Sequence, residues 1–197
     1  MKAVLMNGFG GAEVLRVGET ERPSPSKDQV LIKTKATSVN RPDIIQRQGN
    51  YPPPKGESEI LGLEAAGIID AVGTAVQSFA VGDRVMALVG GGGYGEFVCA
   101  QESHLIHIPE SMDFEEAACI CETYLTAYLN LFLLGKLNGT EKVLLHGGGG
   151  GVNTAGVQLC KILAPEVIVI VTASPGKMGQ VKNLGVDLVI DYLAEDF

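Results

Sequence analysis

Positive charge is scarce in this sequence: 15 Lys and Arg stand against 23 Asp and Glu, a formal net charge of -8. That deficit weighs against nucleic acid or an anionic membrane surface as the main partner. No run of about 18 apolar residues exists, so no transmembrane helix is expected. The apolar stretch Met1 to Met6 ends at Asn7-Gly8 and is too brief for the core of a secretory signal. Tryptophan is absent, and only four cysteines occur, Cys99, Cys119, Cys121 and Cys160. Their spacing fits neither a disulfide framework nor a zinc knuckle, and a cytoplasmic setting is expected. Cys119 and Cys121 have one residue between them where a helical redox pair has two. They are read as buried structural thiols.

What is present is apolar material and glycine. Hydrophobic residues make up 46% of the 197 and charged residues 19%, enough for a sizeable core. The first two-thirds reads as short strands and turns: residues 2–6, 14–20, 30–39 and 63–72, then 86–89 and 94–98 on either side of the run Gly90 to Gly93. Strands at this spacing suggest a barrel or sandwich. The pattern changes near residue 113. Asp113 and Glu116 form a capping box, and helical stretches follow through Cys119 and over 125–134. From Glu141 onward strands at 143–146, 167–172 and 188–191 alternate with helices near 152–164 and 176–184. That is the βαβαβ pattern of a parallel sheet. The expected division is a domain over residues 1–120 and a second over 121–197.

The strand ending at His146 runs into five glycines, Gly147 to Gly151, and then a helix. A dinucleotide fold needs this order. Glycines let the backbone approach a pyrophosphate, and a helix N-terminus presents N–H groups and partial positive charge. Taking Gly148 and Gly150 as the frame puts Asn153 where the third glycine belongs. A Cβ there is expected to loosen the helix–strand packing or tilt the helix, with Ala155 and Gly156 as compensating small neighbours. NAD binders carry an acid about 20 residues beyond the loop, where it bonds the ribose 2′-hydroxyl. Here the second strand ends Ala173-Ser174-Pro175-Gly176-Lys177, with no acid at its tip. Ser174 and Lys177 suit a 2′-phosphate instead. The same residues leave open a plain surface lysine at Lys177.

These motifs together resemble the zinc-free quinone oxidoreductases of the medium-chain dehydrogenase/reductase superfamily, the zeta-crystallin-like group, along all 197 residues. Asn40-Arg-Pro-Asp43, Gln46-Arg-Gln-Gly49 and Tyr51 with its three prolines resemble the substrate-side segment. Gly62-Leu-Glu64 with Gly67 resembles the G-x-E-x-x-G element, and Leu125-Thr126-Ala127 the nicotinamide-side helix start. The loop Leu144 to Gly151, with Gln158 and Lys161, resembles the cofactor signature; Asn153 departs from it. The resemblance implies an N-terminal GroES-like β-barrel domain followed by a Rossmann domain, here only its first βαβαβ half, with the active site in the cleft between them. It implies hydride transfer from NADPH to a quinone. Gly148, Gly150, Gly151 and Val152 would border the pyrophosphate, Ser174 and Lys177 would hold the 2′-phosphate, and Tyr192 would lie near the adenosine. Asn40, Tyr51 and Thr126 would line the nicotinamide and quinone pocket, with Tyr51 positioning the quinone or donating a proton.

Further expectations accompany that reading. No metal is expected: zinc-using relatives place a histidine where Leu63 stands, and Ser38 to Asp43 contains no cysteine. Glu64 is read as structural, and His146 as a hydrogen-bonded strand end. The partner is a small quinone, neither nucleic acid nor membrane, and a homodimer stays open for a longer form. With half a Rossmann domain, the chain is expected to be an inactive N-terminal fragment. The alternatives are an NADPH-dependent enone or enal reductase with Tyr51 as proton donor, and a non-catalytic truncated binding fragment.

Overall fold

The computed structural model describes every residue from Met1 to Phe197, in two compact units, Met1–Glu122 and Thr123–Phe197. The division falls in the first turn of a helix, Cys121–Tyr128, whose residues belong to both units. The expected boundary after residue 120 lies just ahead of that helix.

The first unit is built on β3 (Gln29–Ala36), where Val30, Leu31 and Ile32 are all buried. Consecutive buried residues mark a strand covered on both faces. β3 lies inside a five-stranded antiparallel sheet with β4 (Glu64–Val72), β5 (Arg84–Leu88), β6 (Phe97–Gln101) and β7 (Leu105–His107), in the order β6-β3-β4-β5-β7. A separate antiparallel pair, β1 (Lys2–Met6) and β2 (Leu15–Glu19), is tied to the sheet region by a bridge between Ala3 and Gly95. Val30, Ile32, Ala65, Ile69, Val85 and Val98 form the core of this unit.

Gly62 precedes β4 with φ of 101°, and a Cβ there would lie 2.6 Å from the Tyr94 ring. Both facts require glycine. Tyr94 itself donates its N–H to Leu61 O at 2.9 Å, so the chain after the four-glycine run stays with the 60–62 segment. β6 therefore begins at Phe97, later than the expected 94–98.

The helix α1 (Arg41–Arg47) has no counterpart among the sequence expectations. Pro42 looks like a breaker, yet it occupies the first turn, where its missing N–H costs nothing. Asn40 and Asp43 form the capping box that starts the helix, and Asp43 Oδ2 accepts the Asn40 N–H at 2.7 Å. At the end of the unit, α2 (Phe114–Ala117) has the expected box between Asp113 and Glu116, with Asp113 Oδ1 accepting from Glu116 N at 2.7 Å.

The helix expected over 125–134 comes in two parts. α3 (Cys121–Tyr128) passes into π-helical turns at Leu129–Leu134. The Asn130 side chain donates to Thr126 O at 2.8 Å, and Gly135 N reaches back to Asn130 O at 2.9 Å. A side-chain donor competing for a helix carbonyl widens the turn.

The second unit is a parallel three-stranded sheet in the order β10-β9-β8, made of β8 (Lys142–His146), β9 (Ile168–Ala173) and β10 (Leu188–Asp191). α4 (Gly151–Leu163) and α5 (Pro175–Lys182) are the crossovers. This is the 3-2-1 half of a doubly wound sheet. α4 buries Ala155, Gly156, Val157 and Cys160, and its core partners include Leu145, Val169, Val171 and Val181. β8, the strand that feeds the glycine loop, is an edge strand, and its Leu144 is 43% exposed.

Candidate functional site

The glycine loop is held by the neighbouring strand. Gly147, with φ of 77°, donates its N–H to the buried Thr172 hydroxyl at 3.0 Å, and Gly148 N donates to Thr172 O at 2.9 Å. Thr172 was not singled out by the sequence; its signal is a hydroxyl at the end of an otherwise apolar strand. A Cβ on Gly148 would overlap Val171, whose side chain is fully buried. Gly148 therefore serves the close approach of loop to sheet. Gly150 caps α4, and Gly151 and Val152 form its first turn. The first N–H groups of a helix have no intrahelical partner, which makes this end attractive to an anion.

Asn153 does not loosen the packing as expected. Its side-chain amide donates to His146 O, so the side chain stitches α4 to the end of β8. His146 is thus a hydrogen-bonded strand end through its carbonyl. Close packing is met at Gly156, where a Cβ would lie 3.3 Å from Leu131 and 3.5 Å from Leu145.

Beyond β9, Ser174 is the N-cap of α5, and its carbonyl accepts from Lys177 N at 2.9 Å. Lys177 Nζ lies 3.3 Å from Gly149 O, and its stem occupies the space where a Cβ on Gly149 would go. The structure thus brings Lys177 onto the glycine loop, beside the end of the strand that carries no acid. Tyr192 follows β10 and is 47% exposed. Thr126 sits in α3, its carbonyl engaged by Asn130.

In the first unit, the two residues expected on the acceptor side, Tyr51 and Asn40, lie in different surroundings. Tyr51 is 42% exposed and lines a cavity of about 300 Å³ with Met6, Phe9, Gln46, Pro52 and Pro53. Asn40 instead joins a part-buried polar cluster around the buried Glu64. Its Nδ2 donates to Ser38 Oγ and to Glu64 Oε1, both at 2.8 Å. Ser38 also donates to Glu64 Oε1, and Glu64 Oε2 accepts Glu122 N at 3.0 Å. Nearby, Tyr94 OH donates to Asp43 Oδ2 at 3.0 Å; burial, then the Asp43 charge, pushes the phenol above its ordinary range.

The carboxylates also bear on the cysteines. Burial, then the charges of Glu64 and Glu122, pushes the Cys121 thiol up to about 12. Cys119 is likewise raised, by burial and then Glu64, although it is exposed rather than buried as expected. Both shifts work against the thiolate that redox chemistry requires.

Comparison with known proteins agrees with both units. Residues 26–110 match the alcohol dehydrogenase GroES-like domain. The chain is 36% identical to the mouse synaptic vesicle membrane protein VAT-1 homolog-like, over 100% of its own length and 52% of that protein's. Among solved structures it is similar to Escherichia coli quinone oxidoreductase complexed with NADPH, with TM-score 0.89, 30% identity, and coverage of 100% of this chain and 60% of that one. It is also similar to CurK enoyl reductase, with TM-score 0.88, 29% identity, and coverage of 96% and 59%. The chain belongs to the medium-chain dehydrogenase/reductase superfamily.

As a medium-chain dehydrogenase/reductase it has a GroES-like N-terminal domain and the first half of a Rossmann domain. It spans about half the length of the curated relative just described. Its relatives include quinone oxidoreductases and enoyl reductases, so its family is one of oxidoreductases. No helix is long and apolar enough to cross a membrane.

Proposed function

We propose that the protein is an NADPH-dependent quinone oxidoreductase that works without zinc. The observation that carries this reading is Lys177 lying on the glycine loop, at the end of a strand with no acid. A loop with no room for a Cβ at Gly148 suits a bound pyrophosphate. Gly148, Gly150, Gly151 and Val152 would hold that group, Ser174 and Lys177 the 2′-phosphate, and Tyr192 the adenosine side. NADPH, when bound, supplies the hydride. Thr126 and Asn40 would orient the nicotinamide and the acceptor. Tyr51 would position the quinone in a largely apolar setting and deliver a proton to the oxygen that gains charge. The reading places the chemistry in the cytoplasm, where the four thiols stay reduced.

Similarity to an enoyl reductase favours a second reading, reduction of an enone or enal with Tyr51 as an essential acid. Acceptor profiling of the full-length protein separates the two. Quinones are expected to turn over far faster than enals. Because a quinone takes hydride without a strong acid, Tyr51→Phe should lower quinone turnover by less than about tenfold. General-acid catalysis contributes roughly 10²- to 10⁴-fold, so a loss in that range on enals, with quinones poor, would favour the enone reading.

Zinc independence has its own check. Leu63 stands where zinc-using relatives have histidine, and no three His, Cys, Asp or Glu side chains converge on a metal-sized space. Chelator-washed protein is expected to hold no stoichiometric zinc by atomic absorption. One zinc per chain would contradict the proposal.

A further inference from the structure

Phe9 stands in the turn that follows β1 and is 69% exposed. A single exposed phenylalanine needs no explanation by itself. This one is held in place. Gly10 N donates to Arg47 O at 3.1 Å, and Arg47 Nε donates to Gly10 O, also at 3.1 Å. The pair ties the turn to the end of α1. At the base of the turn Asn7 N donates to Val14 O at 2.9 Å, and Gly11 N donates to Glu13 Oε1 at 2.8 Å. Bonds on both sides of Phe9 fix the backbone that carries it.

The ring rests on Gly49. A Cβ there would lie 3.0 Å from Phe9 Cγ and 3.1 Å from its Cδ2. Gly49 also follows the C-cap of α1 with φ of 85°, a conformation that favours glycine. The one glycine thus serves both the end of the helix and the seat of the ring. Phe9 and Gly49 border the same cavity as Tyr51, with Met6, Pro52 and Pro53 as further walls. The free surface of the ring is available to whatever enters that cavity.

We propose that Phe9 is a specificity-determining residue for the acceptor: with Tyr51 it forms a pair of aromatic walls that favours fused-ring quinones over single-ring ones. The inference rests on the reading that Tyr51 positions the quinone. Phe9, at 69%, is the more open wall, against 42% for Tyr51. The reacting ring is held at Tyr51, and a second, fused ring extends toward Phe9. Flat apolar faces suit aromatic contact there. A single-ring quinone held at Tyr51 gains little from Phe9.

The test compares 1,4-naphthoquinone with 1,4-benzoquinone in the full-length protein with NADPH. Phe9→Ala is expected to raise KM for naphthoquinone about tenfold and for benzoquinone about twofold or less, the scale of one lost aromatic contact and its buried area. The loss lies in KM, because Phe9 holds the ring alike before and during hydride transfer. KM for NADPH should not move, which separates an acceptor contact from a fault in folding. Phe9→Leu keeps apolar bulk without the flat ring and should fall between. Arg47→Met keeps the stem and removes the side-chain bond to Gly10 O. The loosened turn should then raise KM for naphthoquinone about threefold, the cost of ordering it again on binding. Should Phe9→Ala fail to fold, Phe9→Leu and Arg47→Met carry the comparison. An equal rise for both quinones, or none for naphthoquinone, in a folded variant overturns the proposal. Tyr51→Ala tells that failure from failure of the underlying reading. If Tyr51→Ala raises KM for both quinones while Phe9→Ala raises neither, Tyr51 keeps its place and Phe9 is a surface residue. If neither variant alters KM for either quinone, the acceptor does not enter this cavity, and both fall.

Discussion

Lys177→Ala in the full-length protein is expected to weaken NADPH binding roughly 10- to 100-fold, the worth of one charge-assisted bond to phosphate. NADH binding should stay nearly unchanged. The two cofactors differ only at the 2′-position, so a contact confined to that phosphate is invisible to NADH. Lys177 also covers Gly149 with its stem, and truncation disturbs that packing as well as the charge. Lys177→Met separates the two effects, because it keeps an apolar stem and removes the ammonium. Both variants should show the same selective loss. An equal loss for NADPH and NADH would mean that Lys177 supports the loop and does not read the phosphate, and the cofactor assignment would fall with it.

The 197 residues expressed alone are expected to reduce no quinone. The sheet of the second unit has only three strands, and β8, which carries the glycine loop, lies at its edge with Leu144 43% exposed. A doubly wound sheet flanks that strand on both sides, and the second half cradles the nicotinamide. An apolar parallel strand left at an edge invites aggregation. Leu129, Leu133 and Leu134 in the π-helical turns are also exposed, as are Ile162 and Leu163 at the end of α4. The second unit should therefore be marginal. The first unit has its own five-stranded core. Limited proteolysis is expected to trim the chain toward residues 120–140 and to leave the first unit resistant. Robust NADPH turnover by a product verified as 197 residues would contradict this expectation.

The nucleotide-binding half was legible because its signals are local. Val167 to Val171 is a continuous apolar run of strand length, five glycines separate a strand from a helix, and Asp113 with Glu116 spells a capping box within four residues. What escaped was set at a distance or by competition. α1 is only seven residues long with Pro42 in its first turn, too short a segment for apolar periodicity to register. The burial of Glu64 depends on Ser38, Asn40 and Glu122, which lie 26, 24 and 58 positions away. Nothing in the spacing of these residues announces that they meet. Asn153 looked like a defect because a missing glycine was judged by its Cβ alone. The structure gives its amide a partner in His146 O and moves the close contact to Gly156. The break in the helix after Tyr128 turned on one side-chain bond from Asn130, which periodicity does not register. Of the candidate site residues, those around the glycine loop and Lys177 were the ones brought together within one unit.

The most direct test of the account is the initial rate of quinone reduction by full-length protein with NADPH and with NADH, each at low concentration relative to its KM. The account predicts turnover with a kcat/KM for NADPH about tenfold or more above that for NADH, and the same rate after zinc chelation. A preference for NADH, or no quinone reduction with either cofactor, would contradict it.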